Sequence, residues 1–176
     1  MKYLKLINIR KTVAKVVASL AIVGLFAGSA MALTNATELA KDFTLKSKDN
    51  GNMRLSEQRG NIVMVNFWAS WCGPCREELP EMEALYQEYA DLGFEILAVN
   101  VDDHPDKANV LLDDIEVSFP VLFDTAGEVS ELYDVNAMPT TVIIDRDGNQ
   151  RILHEGYRKG DEVKYKKAIK MLLRED

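Results

Sequence analysis

Two cysteines separated by two residues constrain this chain more than any other feature. Cys72 and Cys75 are the only cysteines among its 176 residues. The apolar run Ile62–Trp68, interrupted once by Asn66, precedes them and indicates a buried strand, and a helical pattern begins at Arg76. Cys72 is therefore predicted at a helix N-terminus, where unpaired N–H groups and the helix dipole favour an anion. That setting lowers the pKa of a thiol, so we expect Cys72 to be a thiolate nucleophile near neutral pH.

The first 32 residues have the pattern of a secretory signal peptide. Their charged residues are all basic, an apolar run extends from Val16 to Gly28, and Ala30-Met31-Ala32 supplies small residues for cleavage. We predict cleavage after Ala32, which leaves residues 33–176 as one domain in the periplasm or outside the cell. The alternative is an uncleaved anchor with the domain facing the periplasm, because no charge occurs from Val16 to Thr37 and a span needs roughly 17–25 apolar residues.

Removal of the predicted signal peptide makes the chain strongly acidic. The signal carries five of the 21 basic residues and none of the 28 acidic ones, so the net charge falls to 16 − 28 = −12. Such a chain is a poor nucleic-acid binder and has no basic patch for anionic lipid. In an oxidising compartment cysteines usually form structural bridges, but a bridge across two intervening residues closes too short a loop to stabilise a fold much. The pair is therefore predicted to carry redox chemistry.

Hydrophobic periodicity predicts strands that alternate with helices and a terminal hairpin, which indicates a three-layer α/β domain. We expect Ser56 to cap a short turn that ends at Gly60, Pro80 to kink the first helix, and Gly93 to end it. The predicted strands cover residues 42–45, 53–55, 62–68, 95–101, 119–123, 138–144 and 150–154, and the later helices cover 105–115, 128–133 and 161–173.

Two segments resemble the thioredoxin superfamily, and specifically its exported TlpA/ResA-like thiol–disulfide oxidoreductases. They are Val65–Pro80, read as VNFWASWCGPCREELP, and Met138-Pro139-Thr140-Thr141. The resemblance covers about residues 37–175 and implies a thioredoxin fold with a central mixed sheet, an N-terminal β-hairpin and an inserted βα unit. It also implies that Cys72 attacks a partner disulfide, that Cys75 resolves the mixed disulfide, and that Pro139 is cis beside the pair.

Asn66 and Glu78 are the candidates for handling protons near the cysteines. By the resemblance, Asn66 stands where cytosolic thioredoxins carry a buried Asp, and since Asn cannot ionise we expect a hydrogen-bonded structural amide. On a helical wheel of ~100° per residue, Glu78 lies beside the apolar stripe and three residues after Cys75, so we expect it half-buried there. In ResA-like proteins a matching Glu tunes the cysteine pKa values, and burial would raise its own pKa. The alternative is a solvated helix acid.

The remaining residues around the pair are assigned supporting or surface roles. Trp68 is expected in the core and Trp71 over the disulfide, in contact with partners. Arg76 is expected on the helix surface. His104 and His154 are isolated in the sequence and are expected at the surface or at a strand edge. They lack the paired spacing that a zinc site of about four ligands requires. The other supporting residues are Gly73, Pro74, Met138 and Thr140.

The sequence thus predicts an exported oxidoreductase with no cofactor beyond its disulfide and no metal, acting as a monomer. The Gly-Pro between the cysteines resembles reducing members of the family, which commonly reduce apocytochrome c or other envelope proteins with electrons from a membrane thiol donor. Thr140 replaces the acid that follows the cis-proline in the dedicated cytochrome-maturation subgroup, which argues against that narrower assignment. The alternatives are a module that binds copper through the pair, and a thiol peroxidase, which would need a Pro- and Thr-containing loop before Cys72.

Overall fold

The computed structural model describes residues 38–49 and 51–175, so the predicted signal peptide and its cleavage site lie outside the described residues. The strands of the described part are β1 (Thr44–Ser47), β2 (Asn52–Arg54), β3 (Ile62–Trp68), β4 (Phe94–Asn100), β5 (Val121–Phe123), β6 (Thr140–Ile144) and β7 (Gln150–Glu155). Its α-helices are α1 (Gly73–Tyr89), α2 (Pro105–Asp114), α3 (Glu128–Leu132) and α4 (Glu162–Leu172). None of the helices in this part is long and apolar enough to cross a membrane.

The seven strands of the described part form one mixed sheet in the order β2-β1-β5-β4-β3-β6-β7. The central strand β3 runs parallel to β4 and antiparallel to β6, and β4 runs parallel to β5. The hairpin of β1 and β2 extends one edge, and β7 forms the other. This arrangement confirms the predicted mixed sheet, the N-terminal hairpin and the inserted unit, which comprises α2, β5 and α3 between the β3–α1–β4 and β6–β7–α4 halves.

The central strands are buried on both faces, as their unbroken apolar sequence predicts. All seven residues of β3 are buried. Ile62, Met64 and Trp68 pack on the face covered by α1, α2 and α4, which we call the α1 face. The alternate residues of β3 pack on the opposite face with α3 and the N-terminal segment. Asn66 and Thr141, directly opposite each other on β3 and β6, bring polar side chains into the α1 face.

Helix α1 presents an apolar stripe to the sheet, and its C-terminal end differs from the prediction. Pro80 lies inside the helix, where it lacks the N–H that would bond the carbonyl of Arg76. The α-helix ends at Tyr89, and a 3-10 turn continues the chain to Gly93, which adopts the left-handed conformation with φ of 84°. Gly93 was predicted to end the α-helix, and it instead ends the 3-10 turn that follows the helix. The glycine fits because such a backbone strains other residues.

The expectation that Ser56 is an N-cap is wrong. The 3-10 turn Leu55–Gln58 begins after Arg54, and Ser56 lies inside it. The backbone N–H of Ser56 donates to the Asp42 Oδ1 at 2.9 Å. The turn therefore takes its acceptor from a residue earlier in the chain, which the local pattern around Ser56 could not reveal.

Candidate active site

The cysteine pair lies where β3 passes into α1. Cys72 is the N-cap of α1, with extended backbone angles, and its Sγ accepts a hydrogen bond from the Cys75 N–H at 3.2 Å. The proline of the Cys-Gly-Pro-Cys sequence occupies the first turn, where its missing N–H has no helical partner to lose. Cys72 and Cys75 form a disulfide with their Cα atoms 5.3 Å apart. This geometry confirms the predicted placement of Cys72 at the helix start.

Both cysteines are buried, and Cys72 is slightly the less buried of the two. Cys72 keeps 5% of its surface, whereas Cys75 is fully buried. Trp71, immediately before Cys72, is 69% exposed, and Trp68 is fully buried in the core, as predicted for Trp68.

The Met138–Pro139 peptide bond is cis, as the resemblance implies. Pro139 directly precedes β6, and Thr140 pairs with Phe67 near the end of β3, so the loop lies at the same end of the sheet as the cysteines. The Pro139 carbonyl accepts from the Gly156 N–H at 2.7 Å, and the Thr140 hydroxyl donates to the Ala137 carbonyl at 2.8 Å. These two hydrogen bonds hold the loop in place, one to Gly156 just after β7 and the other within the loop, to Ala137.

Glu78 is more deeply buried than the helical wheel predicts. Its exposure is 1%, not the half-buried state expected for the margin of the apolar stripe. The difference arises because helix α4 packs against α1 and covers this margin, where the Tyr165 hydroxyl donates to the Glu78 Oε1 at 2.8 Å. A wheel of α1 alone contains no information about a helix that follows it by more than 70 residues.

The carboxylate of Glu78 accepts hydrogen bonds from three elements. Besides Tyr165, Asn66 on β3 donates from its Nδ2 to Oε2 at 2.8 Å, and Thr141 on β6 donates to Oε1 at 3.3 Å. Burial raises the pKa of Glu78 to about 7, against the opposing effect of these bonds. At neutral pH both protonation states are populated, as proton exchange requires.

Asn66 is a hydrogen-bonded amide, as predicted, and its partners are Glu78 and Thr141. Its Nδ2 donates both to Glu78 and to the Thr141 Oγ1, the latter at 2.9 Å. We call Asn66, Glu78, Thr141 and Tyr165 the Glu78 cluster. Thr141 belongs to the Met-Pro-Thr-Thr motif, and its register opposite Asn66 could have marked it. No sequence pattern distinguishes Tyr165 from an ordinary core tyrosine on the apolar stripe of α4.

A second buried carboxylate fixes the loop before the cysteines. Asp102 is 1% exposed and accepts from the Ser70 N–H at 3.0 Å, from the Ser70 hydroxyl at 3.1 Å and from the Asn100 Nδ2 at 2.9 Å. The Asn100 Oδ1 accepts from the Asp102 N–H in return, at 3.1 Å. We call Ser70, Asn100 and Asp102 the loop clamp. Its signal in the sequence is the pair of polar residues at the carboxyl end of an otherwise apolar strand.

The remaining candidates lie at the surface or on the edge strand of the sheet. Arg76 is exposed on α1, and His104 is exposed in the loop before α2. His154 lies on the edge strand β7, with its Nε2 3.2 Å from the Asp161 Oδ2 and its ring edge-on to Tyr165. Within residues 38–49 and 51–175, no three His, Cys, Asp or Glu side chains gather into a potential metal site.

Comparisons with known proteins agree with this geometry. A family model described as the AhpC/TSA family matches residues 36–151. The thiol-disulfide oxidoreductase ResA of Oceanobacillus iheyensis is 40% identical over 123 residues, which is 68% of this chain and 64% of that protein. ResA of Geobacillus thermodenitrificans is 35% identical over 125 residues, covering 71% of this chain and 72% of the relative.

Solved structures agree as well. A Chlorobium tepidum crystal structure, assigned as the thiol:disulfide interchange protein DsbE, aligns with a TM-score of 0.75 and 38% identity. That alignment covers 78% of this chain and 96% of the other. Together with the mixed sheet and the helix layers, the match confirms the thioredoxin fold that the resemblance implies.

Proposed function

The chain belongs to the AhpC/TSA family and is a thiol–disulfide oxidoreductase, and we propose that it reduces disulfide bonds of exported proteins through Cys72 and Cys75. The observation that carries this proposal is the position of the disulfide at the start of α1. Cys72 is the N-cap and keeps 5% of its surface, whereas Cys75 lies inside the helix and is fully buried. An attacking thiol must reach a foreign disulfide, whereas a resolving thiol needs to reach only its neighbour.

The reaction proceeds in two exchange steps. The Cys72 thiolate attacks one sulfur of the partner disulfide, which forms a mixed disulfide and releases the first partner thiolate. The Cys75 thiolate then attacks the Cys72 sulfur, which forms the Cys72–Cys75 disulfide and releases the second partner thiolate. Two electrons pass to the partner, and an external dithiol restores the reduced pair by the reverse exchange. The helix start stabilises the Cys72 thiolate in both directions.

Glu78 is proposed to take the proton of Cys75 during the second step. Both residues lie on the buried stripe of α1, three positions apart, where no solvent reaches the Cys75 thiol. A carboxyl group with a pKa of about 7 can accept a proton from a thiol and release it again near neutral pH. Asn66 cannot ionise and supports Glu78 through its amide N–H.

The direction and the partners are proposed from the sequence and the relatives. Gly73 and Pro74 between the cysteines favour the reducing direction, and the relatives are named as thiol-disulfide oxidoreductases and an interchange protein. The signal-like N-terminus supports export to the periplasm, where disulfide-containing envelope proteins would be substrates and a membrane thiol protein the electron donor. Apocytochrome c is one candidate substrate. Trp71 and the Met138–Pro139 loop lie at the same end of the sheet as Cys72, and we propose that they contact the substrate of a monomeric enzyme.

Reduction of insulin by the purified domain, with a small dithiol as the electron source, tests the activity. We expect turnover by the wild type, none by Cys72→Ser, and a trapped mixed disulfide with Cys75→Ser, whose Cys72 remains able to attack. A wild-type domain without turnover above the dithiol background would contradict the proposal. Copper titration and a peroxide-consumption assay are run in parallel, and tight copper binding or peroxide turnover without insulin reduction would favour the alternative functions.

Equilibration with glutathione tests the direction. Potentials in this fold extend from about −270 mV in reducing thioredoxin to about −120 mV in the oxidant DsbA. We expect a value toward the reducing limit. A value near the oxidising limit would leave the oxidoreductase chemistry in place and reverse the proposed direction.

A further inference from the structure

We propose that Tyr165 is a positioning residue for the exchange reaction: its hydroxyl holds the carboxylate of Glu78 in the ionised form that receives the Cys75 proton. This inference rests on the proposed role of Glu78 and adds a residue from the last helix to the site. Tyr165 is proposed to act on the reaction only through its hydrogen bond to Glu78, without contact with the reacting sulfurs.

The geometry favours Tyr165 as the principal donor to one carboxylate oxygen. Its Oη donates to the Glu78 Oε1 at 2.8 Å, and the Thr141 hydroxyl reaches the same oxygen only at 3.3 Å. The Asn66 amide serves the other oxygen, Oε2. Tyr165 is 1% exposed, so water cannot replace its hydroxyl. A charge-assisted bond of this length in a dry site is stronger than its counterpart in water.

The rest of the cluster is also arranged for an ionised carboxylate. Asn66 turns its NH₂ group toward Glu78, while its Oδ1 is buried and finds no hydrogen-bond partner among the described residues. A protonated carboxyl group would instead offer an O–H, which an amide N–H cannot accept. The amide orientation therefore stabilises the charged form of Glu78 and leaves its own oxygen unsatisfied.

The surrounding charges act against the carboxylate, which makes the donors necessary. Burial is the largest influence on the pKa of Glu78 and raises it, and the negative charge of Asp161, beside α4, raises it further. Among the opposing hydrogen bonds that lower it, Tyr165 comes first, followed by Asn66 and Thr141. Burial and the Glu78 charge raise the pKa of Tyr165 itself, so its hydroxyl remains a proton-bearing donor.

Two other titratable groups near the cluster, His154 and Tyr157, have partners other than Glu78. His154 on β7 contacts the Tyr165 ring at 5.5 Å between centroids and pairs with Asp161 rather than with Glu78. Tyr157, in the segment between β7 and α4, donates its hydroxyl to Glu162 at 2.8 Å. Tyr157 thus offers a matched control: a tyrosine hydroxyl bonded to a glutamate, near the same helix but not bonded to Glu78.

The test is an NMR titration of the Glu78 side-chain carboxyl in the oxidised protein, where the disulfide removes both thiols from the titration. Loss of the hydroxyl in Tyr165→Phe is expected to raise the Glu78 midpoint by about one pH unit, a roughly tenfold change in proton affinity. Tyr157→Phe is expected to leave that midpoint at its wild-type value. An unchanged midpoint in Tyr165→Phe would overturn the inference.

Two further measurements keep the test decisive. Replacement of Tyr165 by 3-fluorotyrosine keeps its shape and makes its hydroxyl a stronger donor, so the Glu78 midpoint should fall; a midpoint that stays constant would overturn the inference even if Tyr165→Phe folds poorly. The pH profile of insulin reduction separates this inference from the proposal on which it rests. If Glu78→Gln has a wild-type profile, both the proton role of Glu78 and the inference fail. If Glu78→Gln alters the profile and Tyr165→Phe does not, the inference alone fails.

Discussion

Glu78 and Asp102 are two carboxylates of equal burial that the fold uses in different ways. Each is 1% exposed, and each accepts three hydrogen bonds. The donors to Asp102 all come from two neighbouring residues at the strand ends, Ser70 and Asn100, and include a backbone N–H. The donors to Glu78 are side chains from β3, β6 and α4.

The difference lies in what each set of donors allows. A backbone N–H can only donate, and its position is fixed by the chain, so Asp102 holds the loop that carries Cys72 in place. Hydroxyl groups can both donate and accept, so the bonds of Tyr165 and Thr141 can adapt when Glu78 gains a proton. Two equally buried carboxylates thus differ in the kind of donor that holds them. The proposed proton acceptor, Glu78, is bonded to side chains, two of which are hydroxyls that can donate or accept, and Asp102 is bonded in part to a backbone N–H, which can only donate.

The two carboxylates are expected to differ most in how each makes the stability of the protein depend on pH, and the larger dependence is expected from Glu78. The folded-state pKa of Glu78 is about 7, above the ordinary 4.5, so the folded protein binds more protons than the unfolded chain between these values. The contribution of Glu78 to wild-type stability should therefore fall as pH rises through this window, by about 3 kcal/mol. Glu78→Gln removes this titration, so the variant should gain on the wild type over the same range.

Urea unfolding of both oxidised proteins, at pH values on each side of the window, measures this gain. Two stability curves that run parallel from pH 4.5 to pH 7 would remove the distinction between the carboxylates. A solvent-exposed Glu whose pKa does not change on folding would give such parallel curves.

Asp102→Asn is expected to cost about 2 kcal/mol of stability at neutral pH. The amide keeps the size of the side chain but supplies one acceptor instead of two, and its NH₂ faces the donors of Ser70 or Asn100. Asp103→Asn is the matched control, because the Asp103 side chain is 69% exposed and pairs with two surface groups, His104 and Lys107. The control should change stability by less than about 0.5 kcal/mol. Equal unfolding midpoints for the two variants would show that the loop clamp contributes nothing.

Ser70→Ala should have the smallest effect, a loss of about 1 kcal/mol. The change removes the hydroxyl bond to Asp102 and retains the backbone N–H bond. A double-mutant cycle with Asp102→Asn sharpens the result, since the serine change should cost less once the carboxylate is absent. Strictly additive losses would indicate that the hydroxyl acts independently of Asp102.

Local patterns were sufficient for the elements and for the cysteines. The apolar run before Cys72 and the stripe after it placed β3, α1 and the helix start correctly, because strand and helix periodicity are properties of adjacent residues. The cis state of Pro139 followed from resemblance, since an X-Pro bond carries no local mark of its isomer. Asn66 was correctly expected to be a bonded amide.

Tertiary contacts account for what the sequence did not reveal. The wheel of α1 placed Glu78 near the apolar stripe, but only the packing of α4 buries it and supplies Tyr165. The loop clamp joins the ends of two parallel strands, which requires knowledge of their pairing. The Ser56 prediction failed for the same reason, because its acceptor, Asp42, comes from a segment outside the turn.

The spacing of the Glu78 cluster along the chain links reactivity to folding. Its hydrogen bonds join residues 12, 63, 75 and 87 positions apart, and the last of them requires the final helix. A chain that emerges from its N-terminus presents both cysteines long before Tyr165 is available. The hydrogen bonds around Glu78, the proposed acid–base partner of the pair, are therefore complete only when the whole domain has folded, so an incomplete or misfolded copy carries the two thiols without them.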